Sequence, residues 1–481
     1  MFLRMVYDDG LAAAAYLIGC QRTGEAIVID PERDVDRYER LAAANGLRIT
    51  AVAETHIHAD FLSGARELGE KGARVYVSDE GDAEWKYGWL DKRIGGGAYD
   101  HRLLTDGDTF MVGKIEFRAV HTPGHTPEHL CFMVTDKGGG ADKPMGVATG
   151  DFVFVGDLGR PDLLESAAGF KGQADPSAHR LHASVGRFMA WPDYLQVWPA
   201  HGAGSACGKA LGAVPSSTVG YEKMFNVSVL AARDEAGFVK FILDAQPEPP
   251  LYFARMKREN KAGPRVLGGL PRPKEMSAAE VRGFDAMAGA VVDTRPWEAF
   301  RAGHVPGALH LPLGNSFSTD AGSLIGEEEA MVIIAEAGRV EEAVRGLVRV
   351  GLDGIVGWFD AGGMEGLGAA GGRLATTAER SVAEARAMIE RERPVVLDVR
   401  RATEFAQGHI DGAMNITHTR LRSRLGEVPR DRPVLVNCRS GARSARACSL
   451  LQRHGYSCTN LAGGMLAWEA DGAHAGAGAA R

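Results

Sequence analysis

Two groups of side chains in the 481-residue chain have types and spacings that could do chemistry. In the first, a short β-branched run ends in Thr55-His56-Ile57-His58-Ala59-Asp60-Phe61. Val120 is followed by His121-Thr122-Pro123-Gly124-His125, and the apolar run from Val147 ends in Gly150-Asp151. A single histidine is more often structural than ligating. Three strand ends that deliver imidazoles and a carboxylate are a different matter, because neutral imidazole with anionic oxygen is what a first-row divalent metal takes. His121 and His129 flank His125 at helical spacing, but Pro123, Gly124 and Pro127 break any helix there, so both read as local structural histidines. In the second group, the run Val434 to Asn437 leads into Cys438-Arg439-Ser440-Gly441-Ala442-Arg443-Ser444 and then a helical stretch over 445–452. A thiol between a strand end and a helix N-terminus meets free N–H groups and the positive end of the dipole, both of which favour anionic sulfur. Gly441 lets the loop curl around the sulfur, and two arginines add positive potential. Cys448 and Cys458 read as core thiols, and their ten-residue spacings do not make a zinc motif.

The elements that must position these groups are also visible. Ala26–Ile29 and Thr50–Ala53 are strand-like runs, each followed by a polar turn, the pattern of an α/β sandwich whose chemistry sits at strand ends; it occupies residues 1–257. Beyond it the chain repeats itself. Asp293 and Asp398, Arg295 and Arg400, Phe300 and Phe405, Gly303 and Gly408, and His304 and His409 are all offset by 105. Gly362-Gly363-Met364 matches Gly463-Gly464-Met465 at an offset of 101. This is a duplicated unit of ordinary domain size, with copies over 276–366 and 377–472. Each copy alternates a helical period (Val382, Ala385, Ile389) with short β-branched runs (Val395 to Leu397, then Val434 to Val436), which implies a parallel sheet covered on both faces. Residues 258–275 and 366–377, rich in Gly, read as linkers, and 473–481 as a flexible tail.

Composition narrows the function. The 62 glycines are close to twice the usual ~7%, yet they show no three-residue period, so collagen-like readings fail. With 55 basic against 62 acidic residues and no long basic run, neither nucleic acid nor an anionic membrane surface is a favoured partner. No apolar stretch reaches the ~18 residues of a membrane span, and the first twenty residues lack an export signal. Six cysteines without a CxxC pair do not form a disulfide framework, which points to the cytoplasm.

The first group resembles the metallo-β-lactamase superfamily, with HxHxD at His56–Asp60, PGHT at Pro123–Thr126, Gly150-Asp151, and Pro199-Ala200-His201-Gly202. That resemblance implies an αββα sandwich. Two-metal hydrolytic members such as glyoxalase II follow the Asp of the motif with a ligating His, where this chain has Phe61. It resembles the persulfide dioxygenases more closely. Carried over, their iron ligands are His56, His125 and Asp151, one Fe(II) per chain, leaving positions open for sulfur and O₂. His58, Asp60 and His201 would then orient the ligands without coordinating. Arg160, in the loop Gly156–Asp162, resembles a family arginine near the thiol substrate, although a loop salt bridge to Asp157 or Asp162 is an equal reading.

The second repeat resembles the rhodanese sulfurtransferases along its whole length. Cys438 matches their sulfur-carrying residue, and Arg439, Ser440, Gly441 and Arg443 fall in the loop that binds the sulfur anion. The first repeat has Ile333-Ile334-Ala335-Glu336-Ala337-Gly338-Arg339 at that place and no cysteine, so it is expected to scaffold only. Together the resemblances imply O₂-dependent oxidation of a small thiol persulfide, of glutathione or coenzyme A type, to sulfite and thiol. Cys438 would pass sulfane sulfur to or from thiosulfate. The rivals are a zinc thioester hydrolase of glyoxalase II type and a non-oxidative sulfur carrier or sensor. The oligomeric state is left open.

Overall fold

The computed structural model describes residues 1–472 except 92, 94, 95, 167–171, 210, 245 and 370–373; the tail expected at 473–481 lies outside the described residues. The chain forms two compact units, one of residues 1–270 with 348–351, the other of 271–347 with 352–481.

The first unit holds two six-stranded sheets. One runs in the order β1 (Phe2–Asp8), β2 (Ala13–Cys20), β3 (Glu25–Ile29), β4 (Arg48–Ala53), β5 (Arg74–Ser78), β6 (His101–Leu104). The other is built from β7 (Thr109–Val112), β8 (Ile115–His121), β9 (Leu130–Thr135), β10 (Gly146–Gly150), β11 (Gln196–Pro199) and β12 (Ser217–Thr218), again neighbour to neighbour in chain order. The period-2 pattern of β2 shows how the layers arise. Ala14, Tyr16 and Ile18 join Phe117, Phe132 and Trp198 in the core between the sheets. The alternate residues Ala15 and Leu17 join Tyr38 and Ala42 of the helix Asp36–Ala44 on the outer face. On the far side Leu181, Val185 and Phe188 of the helix Ala174–Met189 pack on Val147 and Val197. The result is the expected α/β/β/α sandwich. No helix among the described residues is long and apolar enough to cross a membrane.

The second unit carries two parallel sheets with separate apolar cores. The first has the order β14 (Leu309–His310), β13 (Ala290–Asp293), β15 (Met331–Ala335), β16 (Ile355–Asp360). The second has β17 (Ala378–Arg380), β21 (Cys458–Leu461), β20 (Val434–Asn437), β18 (Val395–Asp398), β19 (Met414–Asn415). The repeated motif residues turn out to be architectural. Arg295 donates to Asp293 and to the Gly303 carbonyl, and Arg400 does the same to Asp398 and Gly408, which ties each strand end to the following turn. His304 and His409 each hydrogen-bond the carbonyl of the phenylalanine four residues earlier, with the two rings stacked.

Two boundaries differ from the sequence reading. The helix Phe253–Ala262 runs past residue 257, because Met256 is buried and Asn260 braces the 58–63 loop: its amide donates to the His58 and Phe61 carbonyls at 2.9 and 2.7 Å and accepts from the Ser63 N–H. The helix Met364–Ala369 likewise occupies the start of the second expected linker, anchored by buried Met364 and Leu367.

Candidate metal centre and thiol loop

Three strand ends of the sandwich converge. The turns after β4, β8 and β10 bring the ligand atoms of His56, His125 and Asp151 within 4.8 Å of one another, all buried. His125 Nε2 stands 3.4 Å and His56 Nε2 3.9 Å from Asp151 Oδ2. Gly150 is required here: its φ is +52°, and a Cβ would come within 2.6 Å of His129 Nε2 and Thr55 Oγ1.

The hydrogen bonds behind the imidazoles set their tautomers. Thr55 Oγ1 donates to Asp30 Oδ2 at 2.8 Å and therefore accepts from His56 Nδ1 at 2.9 Å. His125 Nδ1 donates to the Arg160 carbonyl at 3.0 Å. Both Nε2 lone pairs are thus left facing Asp151, as metal ligation needs. Burial, reinforced by neighbouring histidines, holds His56 well below the ordinary histidine range, and burial also lowers His125, so both are neutral donors. Burial acts to raise Asp151, but His201 and His125 outweigh it and lower it, keeping the carboxylate anionic. Both Asp151 oxygens are buried without a hydrogen-bond partner among the described residues, which is costly unless a cation faces them. This donor set fits a divalent metal of the iron or zinc kind.

Of the residues expected to orient these ligands, His58 has a different partner. Its Nε2 lies 3.2 Å from Asp30 Oδ1, and although burial opposes the charge, Asp30 with Glu54 and Asp60 raises it to about 10. It is an imidazolium in an ion pair, with Phe61 stacked on it at 4.4 Å. Asp60 and His201 form a second buried donor group with Cys207. His201 Nε2 stands 3.3 Å from Asp60 Oδ2 and 3.4 Å from Asp151 Oδ1, so Asp151 lies between the two groups.

Arg160 forms the loop salt bridge that was one of its two expected roles. Its guanidinium is 1% exposed, forks onto Asp162 at 2.9 and 2.6 Å and donates to the Ala206 carbonyl. Its contribution is the backbone oxygen behind His125. His129, read from the sequence as a local structural histidine, holds the Asp151 backbone: its Nε2 accepts the Asp151 N–H at 3.1 Å while Nδ1 donates to Thr122. Burial and His125 hold it near 3, neutral, as that acceptor role requires. The one sequence signal was its place four residues after His125. Cys207 had none beyond its nearness to His201.

In the second unit Cys438 follows β20 and is 1% exposed. Its Sγ accepts from the Gly441 N–H at 3.2 Å and from Ser444 Oγ at 3.4 Å, at the N-terminus of the helix Ala442–Arg453. Gly441 has φ +94°, which lets the loop close over the sulfur. The Gly463-Gly464-Met465 segment backs the loop: Met465 N–H donates to the Cys438 carbonyl at 2.8 Å, and a Cβ on Gly464 would strike that carbonyl at 2.3 Å. Arg439 and Ser440 are exposed. Arg443, expected in the loop that binds the sulfur anion, has its fork held by Glu404 at 2.7 and 2.8 Å, and its charge still interacts with Cys438. Burial works to raise Glu404, but Arg443 pulls it down to about 2. At the same place after β15 the first module has Glu336 and no thiol.

A family model described as the metallo-beta-lactamase superfamily matches residues 8–201, and one described as the rhodanese-like domain matches 277–367 and again 381–471. Among solved structures, a metallo-beta-lactamase from Staphylococcus aureus subsp. aureus COL is similar at 38% identity and a TM-score of 0.66, over 75% of this chain and 99% of that one. The mitochondrial persulfide dioxygenase ETHE1 of Bos taurus is 26% identical over 204 residues, 42% of this chain and 68% of that protein. A sulfurtransferase of Allochromatium vinosum is 40% identical over 86 residues, 18% of this chain and 80% of that protein.

Proposed function

Because the chain belongs to the metallo-β-lactamase superfamily and carries two rhodanese-like domains behind that fold, we propose that it is a persulfide dioxygenase joined to a sulfurtransferase. The observation that carries the reading is the buried set of two neutral imidazoles and one carboxylate, with His58 drawn away to Asp30. The overall reaction balances as R–S–SH + O₂ + H₂O giving R–SH, sulfite and two protons. Bound Fe(II), one per chain, would supply the one-electron chemistry that lets O₂ react with a closed-shell sulfur anion. The residues do the rest by position. Thr55 and the Arg160 carbonyl hold the two Nε2 atoms inward, and the His129 acceptor fixes the Asp151 backbone. At Cys438, a persulfide on Sγ would lie where the Gly441 N–H and the helix N-terminus stabilise anionic sulfur. Attack by sulfite on the outer sulfur breaks the S–S bond, returns the thiolate and releases thiosulfate. The small thiol, of glutathione or coenzyme A type, is the carrier we infer. Six free cysteines support placement in the cytoplasm.

The test is O₂ uptake with glutathione persulfide, read with sulfite production. Uptake matched to sulfite supports the reading. A second reading, a zinc thioester hydrolase, is favoured by the second donor group of Asp60, His201 and Cys207. It requires two metals per chain and thioester cleavage without O₂; that result, or sulfur binding with neither reaction, would overturn the dioxygenase.

A further inference from the structure

The cysteine-free module faces the thiol loop of its neighbour across a pocket of about 380 Å³, within the ~300–1,000 Å³ usual for small-molecule sites and many times the size of sulfite. Trp297, Glu298, His310 and Pro312 of the first module line one side; Ser440 and Gly441 of the Cys438 loop lie on the other. The wall is fixed in place. His310 N–H donates to Ser449 Oγ at 3.0 Å, and Arg446 Nε stands 2.6 Å from buried Asp320 Oδ2, both partners lying on opposite modules. Trp297 Nε1 donates to Glu379 Oε1 at 2.6 Å, which also accepts from Asn460 at 2.9 Å.

The charged group the first module offers this pocket is an acceptor. Glu298 is exposed and has no hydrogen-bond or ion-pair partner among the described residues. His310 is 3% exposed; its Nε2 donates to the Arg295 carbonyl at 3.2 Å, and its Nδ1 is buried behind the wall, so it adds no positive charge to the lining. Arg446, the cation of the lining, is already paired with Asp320 and donates to Ser316 and to the Ala442 carbonyl. An unpaired carboxylate beside a half-buried indole suits a donor cation on a short carbon skeleton, not a bare anion.

We propose that the cysteine-free module is the outer wall of the Cys438 site and selects, as sulfur-exchange partner, an organic thiol bearing a primary ammonium group. The thiol reaches the Cys438 loop, the ammonium meets the exposed Glu298 carboxylate, and Trp297 and Pro312 pack on the skeleton. This rests on Cys438 carrying sulfane sulfur. In the exchange R–SH attacks the outer sulfur of Cys438–S–SH; the bond from Sγ to that sulfur breaks, R–S–SH forms, and the proton of R–SH passes to Cys438, with no net oxidation.

The experiment uses the full chain with thiosulfate as donor and either cysteine or 3-mercaptopropionate as acceptor, which differ by the ammonium group. Persulfide products are trapped and quantified. The two thiols differ in acidity, so the readout is how the ratio of their kcat/KM values changes on substitution. Glu298→Gln should lower the cysteine preference about fivefold, equivalent to about 1 kcal/mol for an exposed ion pair, and Glu298→Lys further. Glu298 is exposed, so neither variant threatens folding. Transfer intact with an unchanged ratio in both variants overturns the wall alone. Failure of the wild type to release sulfite from thiosulfate and to gain a sulfur on Cys438 overturns the sulfur-transfer reading, and the wall with it.

Discussion

Thr55→Val removes one hydroxyl from the relay that orients His56. In the wild type that hydroxyl accepts from His56 Nδ1 at 2.9 Å and donates to Asp30 Oδ2 at 2.8 Å, in a position with no solvent exposure. Valine has nearly the same shape, so no cavity opens, and the Thr55 N–H still donates to Asp30 Oδ1 at 2.7 Å. Two things are lost. His56 is no longer held in the tautomer that presents Nε2, and partners of this kind behind a ligand are worth about 10–100-fold in metal affinity, or about 1.4–2.7 kcal/mol. Asp30 Oδ2 also loses a donor inside the protein, which costs the metal-free fold about 1–3 kcal/mol. The assay is anaerobic competition between the metal-free chain and a chromophoric chelator for Fe(II) and for Zn(II), with thermal melts of the same samples. Thr55→Ser keeps the hydroxyl and should restore most of the affinity. If folded Thr55→Val binds both metals as tightly as the wild type, or if Thr55→Ser is as weak as valine, the relay does not set the ligand and the reasoning fails.

Three further outcomes follow. Cys438→Ser should leave persulfide-dependent O₂ uptake within about twofold of the wild type while abolishing thiocyanate formation from thiosulfate and cyanide; Asp151→Ala should do the reverse, since it removes the centre's anionic ligand and touches nothing around β20. Loss of uptake in folded, iron-loaded Cys438→Ser would refute independent sites. Glu404 is held at about 2 in the fold against an ordinary 4.5, so its contribution to stability is complete above about pH 4.5 and disappears as the pH falls toward 2. The melting-temperature gap between wild type and Glu404→Gln should therefore be widest at neutral pH and shrink below 4.5, and a constant gap would contradict the pairing with Arg443. Arg160→Leu should lower the melting temperature without a specific rise in KM for any thiol persulfide, because its guanidinium is spent on Asp162 and Ala206; a selective KM effect would return it to the substrate site.

The parts of the molecule that were legible in the sequence are those whose signal is local. Strand-end motifs exposed His56, His125 and Asp151, and the strand-loop-helix run exposed Cys438, because each pattern is complete within a few residues. The duplication at an offset of 105 was legible for the same reason, although what it preserves, as Arg400 on Asp398 and Gly408 shows, is the turn and not the chemistry. His58 has the same type and nearly the same position as His56, and only the fold separates them by bringing Asp30 to one and, through Thr55, to the back of the other. Cys207, His129 and Asn260 enter by tertiary proximity; Asn260 reaches the Phe61 carbonyl from 199 residues away. The first repeat shows the limit most sharply. Its missing cysteine was sufficient to deny it a persulfide, and that inference concerns only what the module can bond covalently. Trp297, Glu298 and His310 lie beside the Cys438 loop because the module packs there, and a residue that faces a pocket acts on its contents whether or not its own domain has a nucleophile.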